Sequence, residues 1–195
     1  MLDEATRRAN RIKFVMIGVL LLAPLIISYT LFFAGYRPGS SVNYGELLDL
    51  HKLSGSGVTQ DENIILRIRD LHGKWVMLTV DSGDCDQACQ QKLYLMRQIR
   101  TMQNKNMNRI ERLWLVDDNV PVEDRFWNEY EGTLIVNARD SELLDQIPDR
   151  EIQRNHIYLI DPYGNLMMRF PEELEPRKMS DDIKRLLQVS HDEHM

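Results

Sequence analysis

The stretch WVMLTVDSGDCDQACQQKLYLMRQI, Trp75 to Ile99, decides the fold. Its first six residues, Trp75 to Val80, are almost continuously apolar, as expected for a central strand buried on both faces. The pattern then changes. Cys89, Leu93, Met96 and Ile99 recur at spacings of four, three and three, the stripe of an amphipathic helix. Ser82 or Asp84 is positioned to cap that helix. The only two cysteines of the chain, Cys85 and Cys89, therefore fall where a buried strand hands over to a helix.

Outward from this unit the pattern continues. Ile64–Ile68, Arg112–Val116, Thr133–Val136, Ile157–Ile160 and Leu166–Phe170 read as strands, with Asp161–Asn165 a turn. Val122–Tyr130, Ser141–Ile147 and a segment opening at Ser180 read as helices. Tyr44–Leu53 reads as a helical turn or an irregular docking segment, and Ser54–Gln60 as a loop. The alternation predicts an α/β fold, a central sheet flanked by helices. No internal repeat is present.

Upstream, Phe14 to Tyr36 carries no charge. As a helix it spans roughly 34 Å, enough to cross a bilayer. Arg7, Arg8, Arg11 and Lys13 precede it and only Arg37 follows closely, so the positive-inside rule puts residues 1–13 in the cytoplasm and the rest outside. The apolar run exceeds a signal-peptide core and shows no A-x-A site, so an uncleaved anchor is expected. Residues 37–43 form a linker, 44–190 one domain and 191–195 a tail.

The four basic and two acidic residues before Arg37 leave 20 basic against 28 acidic residues in the remainder. That balance argues against nucleic-acid binding. Outside the cell a disulfide is permitted. Cys85 and Cys89, four apart, can bond, but the loop is so small that a structural staple gains little. A thiolate at a helix start suits redox chemistry, and two soft thiolates suit Cu(I). They are half of a tetrahedral zinc site, with no second pair in the sequence. Two inert buried thiols are the remaining reading. Asp81 and Asp84 raise the thiol pKa values or attract a cation.

GKWVMLTVDSGDCDQAC (Gly73–Cys89) and YLIDPYGNLMMRF (Tyr158–Phe170) resemble the SCO/SenC group of the thioredoxin-like superfamily. The chain is similar to short SCO-like transmembrane proteins of proteobacteria found with cytochrome oxidase assembly genes. The resemblance implies a thioredoxin-like fold on an inner-membrane, single-pass anchor, with the domain in the periplasm. It implies Cu(I) held by Cys85, Cys89 and a histidine, or a dithiol that reduces a partner's cysteines. Cys85, the more exposed thiol, then attacks and Cys89 resolves. The implied partners are the copper-bearing subunit of cytochrome c oxidase or another copper chaperone. A fold-retaining scaffold without this chemistry is the third alternative. The family's histidine falls on Gln153, and the nearby candidate is His156. The family's usual prolines are absent from the motif, which Asp84 and Gln90 flank here.

Other candidates carry less. His51 and His72 read as surface residues, and His191 and His194 lie in the tail. Met96 reads as core. Met167 and Met168 are adjacent on a strand, so one faces in and one out. Trp75 and Trp114 read as core aromatics. G-x-S-x-G, H-E-x-x-H and phosphate-binding glycine loops are absent from the sequence.

Overall fold

The structure is a computed structural model that describes residues 2–34, 43–60 and 64–192. It divides into two compact units, residues 1–42 and 43–195. The first unit is one helix, α1 (Leu2–Phe33), with Pro24 inside it. Its Asn10–Phe33 segment is long and apolar enough to cross a membrane. The helix continues through residues 2–13, which the charge pattern alone sets apart. Residues 35–42, which hold the end of the expected span and most of the linker, lie outside the described residues, as does His194.

In the second unit the described elements are β1 (Glu46–Lys52), β2 (Ser56–Thr59), β3 (Ile65–Arg67), β4 (Trp75–Asp81), α2 (Gln87–Met102), β5 (Ile110–Val116), α3 (Asp124–Glu129), β6 (Thr133–Asn137), β7 (Ile157–Ile160), β8 (Asn165–Arg169) and α4 (Pro176–Asp192). Among the described residues eight strands form one sheet, ordered β1-β8-β7-β4-β5-β6-β2-β3. β4, β5 and β6 run parallel, and the other pairings are antiparallel. This is the expected α/β, thioredoxin-like sheet with helices against it.

Every residue of β4 is buried. Val76, Leu78 and Val80 pack one face with Leu113, Leu115 and Tyr158. Trp75 and Met77 pack the other with Met96 and Ile99 of α2 and Ile183 and Leu187 of α4. Two covered faces are why the run lacks polar alternation. Trp114 and Met96 are fully buried, as is Met168, with Met167 half-exposed beside it.

Four local expectations change. Residues 46–52 form a strand rather than a helical turn, because β8 offers an unpaired edge to them. Residues 56–59 are a strand rather than loop. A Cβ at Gly57 would lie 2.3 Å from Val136 Cγ1, so glycine is what lets β2 approach β6. Of Ser141–Ile147 only a 3₁₀ turn, Leu144–Gln146, forms. α4 begins at Pro176, not Ser180, since proline fits a first helical position.

Candidate functional site

β4 ends at Asp81, and residues 82–86 turn the chain into α2. Ser82 N–H donates to Asp81 Oδ1 (3.0 Å) and Asp84 N–H to Ser82 Oγ (3.1 Å). The Ser82 hydroxyl is thus used within the turn, and neither Ser82 nor Asp84 is the cap. Asp86 caps instead: extended at φ −72°, its Oδ1 accepts from Cys89 N–H at 2.9 Å. Cys85 lies just before the cap and Cys89 in the first turn. A disulfide joins them, with Cα atoms 5.2 Å apart.

The pair is enclosed. Cys85 is 4 % exposed and Cys89 fully buried, so the expected order of exposure holds while both are covered. Leu93, Trp114, Val116, Val122, Phe126 and Tyr130 wall them. The loop 117–122 closes against the turn. Asp118 Oδ1 accepts from Gly83 N–H and Val120 N–H, both at 3.1 Å. Arg154 grips the same loop with two bonds to Asp117, at 2.9 and 2.7 Å. Burial pulls the Asp118 carboxyl up, but hydrogen bonds from Ser82, Gly83 and Val120 and the charge of Arg154 leave it below the usual range.

One helical turn beyond Cys89, Lys92 reaches under the site. Its ammonium lies 2.6 Å from Asp81 Oδ2, with both side chains buried, and it donates to the Arg154 carbonyl. Burial pushes the Asp81 carboxyl above its ordinary value, with Lys92 opposing. Asp81 is therefore a paired charge, not a free one beside the thiols.

Asp86 removes what a thiolate at this helix start needs. A thiolate is favoured there by free N–H groups and the helix dipole. Here the first-turn N–H of Cys89 is held by a carboxylate that itself carries a negative charge. Asp86→Ser keeps a capping oxygen and removes that charge. In the reduced protein the Cys85 thiol should then ionise more easily. Alkylation at pH 7 should quicken about two- to fivefold, from roughly 0.3–1 kcal/mol of charge interaction at a helix start. An unchanged rate would mean that Asp86 acts only as a cap.

The structure does not bring His156 to the cysteines. Its Nδ1 is bonded to the Phe170 carbonyl (2.8 Å) and its ring lies edge-on to Tyr158, whose side chain packs on the sheet face away from the cysteines. Gln153 is buried, its amide spent on the carbonyls of Leu144 (2.9 Å) and Ile147 (2.7 Å). Among the described residues no three Cys, His, Asp or Glu side chains gather as a metal site. His51, in β1, bonds the carbonyls of Asp49 and Gln146, and His72 is exposed.

Sequence reasoning missed Asp86, Lys92 and the clamp of Arg154 on Asp117. Lys92 did leave a trace: it stands on the apolar stripe three residues after Cys89, where a surface lysine does not belong.

The sequence matches, over residues 75–190, the family described as transmembrane-like, thioredoxin-like, C-terminal domain. Among solved structures, Bradyrhizobium japonicum ScoI with copper bound is similar at 13% identity and a TM-score of 0.55, over 69% of this chain and 98% of that one. Yeast Sco1 with copper bound is similar at 15% identity and 0.57, over 71% and 94%. A SCO1/SenC family lipoprotein from Bacillus anthracis is similar at 16% identity and 0.55, over 72% and 97%. No curated protein matches the sequence.

Proposed function

The chain belongs to the transmembrane-like, thioredoxin-like C-terminal domain family, and from that premise we propose that Cys85 and Cys89 are a membrane-anchored redox pair that reduces disulfides of a partner protein. The observation that carries this is the bonded pair itself, seated between β4 and α2 at the carboxyl end of the parallel strands.

The step balances as thiol–disulfide exchange. Reduced Cys85, as thiolate, attacks one sulfur of the partner's disulfide and expels the other as thiolate. Cys89 then attacks Cys85 and releases the partner's second thiolate. Two electrons pass to the partner, whose thiolates take up protons, and the Cys85–Cys89 disulfide remains. A dithiol donor returns it to the reduced state. Because both sulfurs are covered, attack requires loop 117–122 to open.

The second reading is Cu(I) as cargo. The C-x-x-x-C spacing and the likeness to copper-bound Sco folds favour it. The residues present supply two thiolates, which suit Cu(I) in two-coordinate form, and Gln153 holds the sequence position at which the resemblance implies a histidine. Both readings place the chain in the assembly of a respiratory copper oxidase, acting on the copper-bearing subunit of cytochrome c oxidase or on another copper chaperone. In either reading the domain faces the periplasm, an orientation that the basic residues ahead of α1 support.

The detergent-solubilised full-length chain is equilibrated with glutathione buffers and, separately, reduced and titrated anaerobically with Cu(I) against a chelator. The redox reading expects one reversible disulfide per chain, lost in Cys85→Ser. Tight binding of one Cu(I), lost in Cys85→Ser and kept in His156→Ala, would establish copper as cargo. Oxidase assembly that persists in cells with Cys85→Ser and Cys89→Ser together would overturn both and leave a scaffold.

A further inference from the structure

Three arginines meet away from the cysteines with no acid among them. Arg112 projects from β5, and Arg97 and Arg100 from α2 above it. Their anchors show the convergence. Arg100 Nε donates to the carbonyl of Ile110, two residues from Arg112 on the same strand (2.9 Å). Arg97 Nη1 donates to the carbonyl of Glu129, the last residue of α3 (2.6 Å), and Arg112 Nη2 to the Glu131 carbonyl in the turn that follows (2.5 Å). Arg97 also lies 5.6 Å from the Tyr130 ring.

Arg112 is the deepest, at 4 % exposure. Its Nε and Nη1 are buried and have no hydrogen-bond partner. Among the described residues no carboxylate stands within salt-bridge distance of any of the three. Glu111, next to Arg112 in sequence, points to the opposite face of β5 and pairs with Lys74. Burial first, then Arg100 and Arg97, pull the Arg112 pKa down to about 10.

Backbone carbonyls accept hydrogen bonds but neutralise no charge. A buried guanidinium with two unmade bonds and two like charges beside it is a costly arrangement in an otherwise acidic domain. An oxyanion supplies the countercharge that the carbonyls do not. Its oxygens accept from the N–H groups of the half-buried Arg97 and Arg100, with the charge of the Arg112 guanidinium beneath them, a match of the kind that arginine offers phosphate. Gly132 adjoins the site. A Cβ there would stand 3.2 Å from Arg112 Nη2, and its φ of +78° also favours glycine.

We propose that Arg97, Arg100 and Arg112 form a binding site for a phosphate-type oxyanion, either free phosphate or the phosphomonoester of a small molecule or lipid headgroup. The site is independent of the cysteine chemistry.

The test is thermal unfolding of the full-length chain in an uncharged detergent, with inorganic phosphate or glycerol 3-phosphate as probe and chloride at matched ionic strength as control. The wild-type chain should be stabilised by at least one probe and not by chloride, since a ligand of the native state shifts unfolding by mass action. Arg100→Gln, half-exposed and so expected to fold, should weaken that probe at least tenfold, and Arg112→Gln should abolish its effect. The tighter of the two probes names the source. Equal stabilisation of wild type and Arg100→Gln, or none by either probe, would overturn the proposal.

Discussion

Lys92→Met is expected to lose about 3–5 kcal/mol of unfolding free energy, because it leaves the Asp81 carboxylate buried without its cation. Asp81→Asn should lose a similar amount by orphaning the ammonium. Asp81→Leu with Lys92→Met should recover most of the loss, since a buried site beside Val116, the register partner of Asp81, tolerates a filled apolar pair better than half an ionic one. The pH dependence follows from the direction of the Asp81 shift. Its carboxyl is raised in the folded state above its ordinary 3.8. The folded chain therefore holds that proton more tightly than the unfolded one. The stability it contributes is fully present below 3.8 and falls as pH rises through the folded value. Without Lys92 the carboxyl rises further, so the deficit of Lys92→Met should be largest at pH 7 and narrow on acidification. Urea unfolding of the two single variants and the double variant at pH 7 and pH 5 reads this out. A Lys92→Met loss under about 1 kcal/mol, the range of exposed pairs, would show that water reaches Asp81.

Gly83→Ala should loosen the cover over the disulfide. A Cβ there would come within 1.9 Å of the Val120 carbonyl oxygen and 2.7 Å of its carbon. Both are backbone, so no side chain can swing aside, and the loop 117–122 must move. Overpacking of this kind costs about 1–3 kcal/mol. Much of that loss falls on the two bonds that Asp118 makes to Gly83 and Val120. If about 1.4 kcal/mol of it eases loop opening, reduction of the disulfide by dithiothreitol speeds roughly tenfold. Reduction at the wild-type rate would mean that thiols reach the sulfurs without displacing Val120.

What the sequence disclosed divides along physical lines. The buried strand and the amphipathic helix were legible because each is long, periodic and covered. The hairpin β7–β8 was legible from its turn residues. β1 was not, because ELLDLHK takes its conformation from β8 and leaves Leu47 and Leu50 exposed. β2 was hidden because glycine there signals a loop, and only the closeness of Val136 shows its purpose. The cysteines announced themselves by number and spacing. Their surroundings did not, because the bonds of Asp118 and Arg154 join residues 82–92 to residues 117–118 and 154, a proximity no local pattern encodes.

Tyr44 and Gly45, near the start of the second unit, both donate their amides to Asp182 of α4, at 2.7 and 2.9 Å. The Tyr44 hydroxyl bridges the backbone of Glu173 and Glu175. A pull on the backbone at Tyr44 therefore lands on a carboxylate clasp and then on the β1–β8 ladder. Two strands, β8 and β7, lie between β1 and β4 in the sheet. A load entering the domain at these residues meets its edge before it meets the cysteine turn.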